Sequence, residues 1–282
     1  MKIKKSLSNI IVHTVLAILA VIWVLPIVWV VLISFRAEKG AYTSTFLPQS
    51  YTLSNYIRLF TETDIFNFPL WFGNTLVVAI FSCIISTFYV LSVSYVMSRL
   101  RFKLRKKFMN IALILGMFPG FMAMIAVYYI LKGVGLTTGA LKLVSLVLVY
   151  SGGAGLTFYV AKGFFDTIPK AIDEAAIIDG CTRWQVFTKV IIPLSKPIIV
   201  QTIVASFMAP WMDFIFARVI AGSEPQYYTV SVGLWNMLTR ENITNYYTRF
   251  AAGAVLVSIP IAILFCSVQK YYMEGNAGAV KG

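Results

Sequence analysis

Residues 10–33 read IIVHTVLAILAVIWVLPIVWVVLI, an uncharged apolar run. The run exceeds the about 20 residues that an α-helix needs to cross the hydrocarbon core of a bilayer. It is too long for the apolar core of a signal peptide, and Arg36, Glu38 and Lys39 follow it without a small-residue cleavage site. It is therefore expected to remain in the protein as a membrane span. Runs of this kind recur along the whole chain. Of its 282 residues 59% are hydrophobic and 12% charged, and mean hydropathy is +0.80, against roughly 45–50% and 25% in ordinary soluble domains. Excess apolar content spread over the full length points to one all-α, polytopic membrane protein with six transmembrane helices.

The second span is expected at about Trp71 to Met97 and the third at about Phe108 to Leu131. The third carries Gly116, Pro119 and Gly120, which permit a kink and close helix approach. The fourth covers about Lys142 to Phe165, with Gly152, Gly153 and Gly155 near its middle; the fifth runs from about Pro197 to Ile220 and the sixth from about Phe250 to Tyr272. In the polar segment 36–70, Leu53, Tyr56, Ile57 and Phe60 repeat at helical spacing and predict a short interfacial helix. The outer loop 221–249 is rich in Tyr and Trp, as befits an interface belt or a protein-docking surface. The chain divides into residues 1–69 (first span and outer loop), a membrane core over 70–272 that contains a loop at 166–197, and a cytoplasmic tail over 273–282.

A net charge of +13 would suit nucleic acid, so the placement of the charges decides. Six spans with both ends on one side put 16 of the 24 Lys and Arg on that side, including the cluster from Arg99 to Lys107, and leave eight on the other. This is the positive-inside asymmetry of a membrane protein with both termini in the cytoplasm, and no nucleic-acid partner is expected. Basic residues beside the membrane also suit lipid headgroups.

The chemical census is short. His13 is the single histidine, and Cys83, Cys181 and Cys266 lie far apart, so neither a His-based catalytic centre nor a metal or disulfide framework is expected. No Gly-Lys dipeptide occurs, which excludes a GxxxxGK[ST] phosphate-binding loop. Asp213 is the one carboxylate placed inside a span. At that depth it should face protein or a water-filled cavity. Two readings stand: a site residue beside a proline break at Pro210, or a structural partner for Arg218 or a helix end.

Residues 166–197 are too patterned for a simple connection. Thr167 and Pro169 signal the start of a helix through about Asp179, which Gly180 can end in the left-handed conformation. Thr182 and Gln185 then form a capping box for a second helix with Trp184, Phe187 and Ile191 on one face, stopped by Pro193. Ala175 and Ala176 allow close approach, while Trp184 and Phe187 are expected to protrude. The pair is either a knob for a socket on another protein or an interfacial pair resting on lipid.

The sequence Glu174-Ala175-Ala176, with Gly180 four residues after Ala176 and Val190-Ile191-Ile192-Pro193 beyond it, resembles the EAA loop of bacterial ATP-binding cassette importer permeases. Within that class the chain is similar to MalG-type permeases of oligosaccharide importers, of maltodextrin or galacto-oligosaccharide type. Asn74-Thr75-Leu76, Ser98-Arg99-Leu100, Trp211-Met212-Asp213-Phe214 and the ending Ala277 to Gly282 carry the likeness further. Where Met212 stands, family members more often have Asn. The resemblance implies a MetI/MalG-like permease fold in the bacterial inner membrane and a chain that is not itself an enzyme. It also implies that ATP and Mg are bound by a dimer of partner ATPase subunits, with no cofactor in this chain. A homologous MalF-type permease would complete the pathway, and an extracellular binding protein would deliver the oligosaccharide. Glu174, Ala175, Ala176, Gly180, Trp184, Phe187 and Pro193 would couple to the ATPase, and Trp211 and Asp213 would lie on the pathway. Lys142, outside the coupling contact, is expected to be neutral. A self-contained secondary transporter would need coupling-ion ligands and repeat symmetry, neither of which is evident.

Overall fold

The computed structural model describes the backbone of residues 2–40, 45–117, 120–152 and 157–279, and side chains within residues 9–271. Pro119, Gly153, Gly155 and Val280 to Gly282 therefore lie outside the described residues. Among the described residues the structure is α-helical, with a single isolated antiparallel bridge, Arg36 to Tyr51.

Among the described residues four helical stretches are long and apolar enough to cross a membrane: Asn9–Ser34, Phe68–Arg99, Leu141–Thr167 (helical on either side of the undescribed residues 153–156) and Ile243–Tyr271. Two bent pairs meet the same test jointly, Arg105–Met117 with Gly120–Gly133 at 105° and Arg183–Leu194 with Lys196–Met212 at 82°, which makes six if each pair is one span. The third expected span is thus two helices, α4 (Arg105–Met117) and α5 (Gly120–Gly133), in place of a kinked one. The sixth is longer than its apolar run: α14 (Ile243–Ala279) begins seven residues before Phe250 and continues through Pro260.

The chain forms two compact units, one holding the chain up to Pro69 with Gly233–Ile259, the other Leu70–Val232 and the chain from Pro260 onward. In the first, α1 (Lys2–Ser34) exposes almost every apolar side chain from Ile10 to Val31. The expected short helix is α2 (Ser54–Thr61), and its two faces are distinct. Asn55 and Leu59 are buried, whereas Leu53, Ile57 and Phe60 are exposed, as an interfacial helix requires. Asn55 donates to the carbonyls of Ser34 (3.0 Å) and Arg36 (2.7 Å) and accepts from Thr248 at 3.1 Å, which satisfies backbone groups at the end of α1. Gly253 sits where a Cβ would come within 2.6 Å of Leu234 Cδ2, so only glycine fits without repacking.

In the second unit, α3 (Phe68–Arg99) is tied to its neighbours by hydroxyls that replace water inside an apolar bundle. Ser94 donates to the Phe158 carbonyl at 2.8 Å, and Ser206 donates to Ser86 at 3.0 Å. Near its N-terminal end, Asn74 donates to the carbonyls of Gln226 (2.9 Å) and Tyr228 (3.1 Å), while Thr75 Oγ1 accepts from the Val230 amide at 2.8 Å. The Asn-Thr pair thus staples segment 226–230 to the start of α3.

Candidate functional site

The loop at 166–197 has the two-helix form expected. α6 (Leu141–Gly152) leads to α7 (Thr157–Thr167), followed by α8 (Lys170–Ile178). Thr167 closes α7 by donating to the Phe164 carbonyl at 2.7 Å and does not cap α8; Pro169 stands at that cap without a side-chain bond. Proline suits the position because its missing N–H would have no partner in a first turn. α8 ends in a Schellman turn: Cys181 N–H donates to the Ala176 carbonyl (2.9 Å) and Gly180 N–H to the Ile177 carbonyl (3.0 Å), with Gly180 at φ +85°. The expected left-handed glycine is therefore present.

The second helical segment comprises α9 (Arg183–Gln185), a π-helical turn over Val186–Ile191 and α10 (Ile192–Leu194). Its capping box is formed as read: the Gln185 amide donates to Thr182 Oγ1 at 3.3 Å, and the Thr182 amide donates to Gln185 Oε1 at 2.8 Å. Pro193 does not stop this segment. A proline ring clashes with the carbonyl four residues back; the wide turn, in which Ile192 N–H reaches the Phe187 carbonyl, lets the helix pass it. The break falls at Ser195, and α11 (Lys196–Met212) starts with Pro197 in its first turn.

Phe187 does not protrude. It is buried against Tyr95, ring centroids 4.7 Å apart, in a core with Val90, Phe165, Val186 and Ile191. Helical spacing placed it on the face of Trp184, and the two rings do meet at 5.6 Å between centroids, but Phe187 turns inward onto Tyr95 while Trp184 stays at the rim. Trp184 stays 63% exposed, and with Ile178 at 85% and Ile177 at 49% it forms an apolar surface beside the exposed Glu174 and Ala175. An exposed apolar patch of this kind suits contact with another protein or with a lipid surface.

Arg99, at the end of α3, connects this loop to the bundle. Its Nε lies 3.0 Å from Asp173 Oδ2 and its Nη2 donates to the Ile168 carbonyl at 2.9 Å. Ser98 beside it donates to Asp166 at 2.6 Å, and Asp166 pairs with Lys162. Burial raises the Asp173 pKa above its ordinary value more than Arg99 lowers it. Ser98 and Arg99 were legible only as part of a resemblance, since their partners are distant in sequence.

The fifth span is interrupted. α11 ends at Met212, and α12 (Ile215–Ala221) resumes after Asp213 and Phe214. The break falls at Asp213 and Phe214 and not at Pro210, which stays inside α11. Asp213 accepts the amides of Phe216 (3.3 Å) and Ala217 (3.0 Å) and the Tyr150 hydroxyl (2.6 Å). Of the readings open for Asp213, the helix-end partner is the one the geometry matches; Arg218 binds the Tyr228 hydroxyl instead. Trp211 is 4% exposed and packs on Phe72 (5.2 Å) and Phe207 (6.0 Å), while Met212 and Ile215 point outward. Lys142 lies outside the 166–197 loop, but it is buried, donates to the Ala221 carbonyl at 2.9 Å and pairs with Glu224.

Residues 91–272, which hold the loop and the broken span, match the family described as binding-protein-dependent transport system inner membrane component. The chain belongs to that family. Over 284 residues it is 34% identical to the galactooligosaccharides transport system permease protein GanQ of Bacillus subtilis (strain 168), covering 100% of this chain and 99% of that one. It is 32% identical to the maltodextrin transport system permease protein MdxG of the same organism, covering 99% and 98%. Its fold is similar to a chain in the crystal structure of a bacterial ABC transporter that imports the acidic polysaccharide alginate, with a TM-score of 0.79 at 22% identity over 95% of this chain and 98% of that one. As an inner membrane component of such a system, the protein is a multi-pass permease subunit of an ATP-binding cassette importer.

Proposed function

We propose that this permease forms half of the pathway of an importer for neutral oligosaccharides of the maltodextrin or galacto-oligosaccharide class. Relatives whose names carry those substrates, matched from end to end, support the substrate class. A second, MalF-type permease supplies the other half, an extracellular binding protein delivers the sugar, and two ATPase subunits bind ATP and Mg on the cytoplasmic side. Both termini lie in the cytoplasm, in keeping with the Lys and Arg asymmetry.

The observation that carries the mechanism is the exposed apolar corner made by Ile177, Ile178 and Trp184 around the left-handed Gly180. It docks in the ATPase. Glu174, Ala175 and Ala176 form the rest of the docking face, and Phe187 anchors the corner from within. Pro193 sits at the wide turn that carries the second helix toward α11. When the ATPases close, the corner moves and the bundle follows, because rigid elements with two packed arrangements transmit displacement. Asp213 and Trp211 hold the break in the fifth span, which presents Met212 and Ile215 to the pathway.

Reconstitution in proteoliposomes tests this function. The chain assembled with its partner permease, ATPases and binding protein is expected to take up oligosaccharide only with ATP inside. Uptake by the purified single chain, driven by an ion gradient, would contradict it and favour a secondary transporter.

A further inference from the structure

The two helices of the loop are joined to the membrane bundle in different ways. The segment Arg183–Leu194 buries Val186, Phe187 and Ile191 among side chains of α3, α7 and α11, so its displacement reaches the spans through packing. α8, which carries Glu174-Ala175-Ala176, has no buried residue. Ala176 packs part-buried against the same core, and the rest of the α8 connection is polar. Among the described residues, Arg99–Asp173 is the one ion pair that links α8 to a span, and the Arg99 side chain is only 4% exposed. The same guanidinium holds the Ile168 carbonyl just beyond α7, so one side chain grips three elements at once.

We propose that Arg99 is a positioning residue that makes the cytoplasmic end of α3 follow α8, so that movement of the docking face becomes movement of the pathway. This rests on the coupling role proposed above. Arginine suits the task because its planar fork reaches two acceptors in fixed geometry, which the point charge of lysine cannot do. The grip also has room to rearrange. Arg99 Nε and Nη1 and Asp173 Oδ1 are buried without hydrogen-bond partners, so Nε meets Asp173 as a charge contact, and both residues line a cavity of about 620 Å³ with Tyr95, Lys170 and Arg183.

The test uses the full importer in proteoliposomes and reads two quantities: sugar moved per ATP hydrolysed, and ATPase retained on purification. Arg99→Lys and Asp173→Asn keep size and polarity. Each is expected to retain the ATPase and to hydrolyse ATP, while transport per ATP falls by about fivefold or more. Lys103→Ala, an exposed neighbour outside the grip, should keep the normal ratio. A wild-type ratio in both variants overturns the inference, as does loss of the ATPase from both, which would mark a purely structural residue. Gly180→Val run in parallel separates the two levels. If it abolishes uptake while the Arg99 and Asp173 variants behave as wild type, the positioning role alone fails. If it too transports normally, the coupling reading fails first.

Discussion

The Tyr150 hydroxyl donates to the Asp213 carboxylate at 2.6 Å, and that carboxylate also accepts two amides from the first turn of α12. One side chain thus satisfies orphan donors where a membrane helix restarts, and a tyrosine on α6 holds it in place. Asp213→Ala should therefore destabilise the protein by about 1–2 kcal/mol, and Tyr150→Phe by about 0.5–1.5 kcal/mol. Thermal unfolding in detergent gives the order. An Asp213→Asn protein that melts normally but fails to transport would place the carboxylate on the substrate instead.

Lys142 and Glu224 should respond asymmetrically. The Lys142 side chain is 7% exposed and that of Glu224 is 45% exposed. Removing Glu224 leaves a buried ammonium held by the Ala221 carbonyl and the Tyr227 ring with no counter-charge, whereas removing Lys142 leaves a carboxylate that water can reach. Glu224→Ala should cost roughly 1–3 kcal/mol and exceed Lys142→Met, in which an apolar chain fills the site. Equal melting temperatures for the two would refute the burial argument.

The segment between α1 and α2 should loosen in acid. Its own amide, those of Ser50 and Gln49, and the Arg36 charge hold the Glu38 carboxyl below its ordinary value of 4.5. A depressed pKa contributes stability above the ordinary value that is lost as pH falls through the folded one. Hydrogen exchange at the Gln49 and Ser50 amides, both bonded to Glu38 Oε1, should accelerate below about pH 4.5 beyond the intrinsic trend. Glu38→Gln should remove that step.

Topology is open to single-cysteine labelling once Cys83, Cys181 and Cys266 are replaced. Cysteines at the exposed positions Lys106 and Lys189 should react only with permeant reagents, and one at Glu241 should react from outside. Labelling of position 106 by an impermeant reagent would overturn the cytoplasmic assignment of both termini.

The apolar runs, the capping box and the left-handed glycine were readable in the sequence because each depends on residues within a turn or a span of one another. Longer reach was not. Tyr150 lies 63 positions from Asp213, and Lys142 lies 82 from Glu224, with no periodicity to pair them. Phe187 was read as protruding because the side chains that cover it, Val90 and Tyr95 of α3 and Phe165 of α7, are distant in sequence, and Pro193 was read as a stop because the π turn before it leaves no sequence signature. The loop's corner was legible from Gly180; its attachment through Arg99 was not.

The most direct measurement is uptake by Gly180→Val in the reconstituted importer. At φ +85° a β-branched residue is strained by about 1–3 kcal/mol, which should misdirect the helix that begins at Arg183. No Cβ clash accompanies this strain, since nothing lies within 4 Å of a Cβ built there, so the membrane fold should survive. The account predicts normal insertion with oligosaccharide uptake lost, together with weaker ATPase retention or hydrolysis that the loaded binding protein no longer stimulates. Wild-type uptake with wild-type stimulated hydrolysis would contradict it.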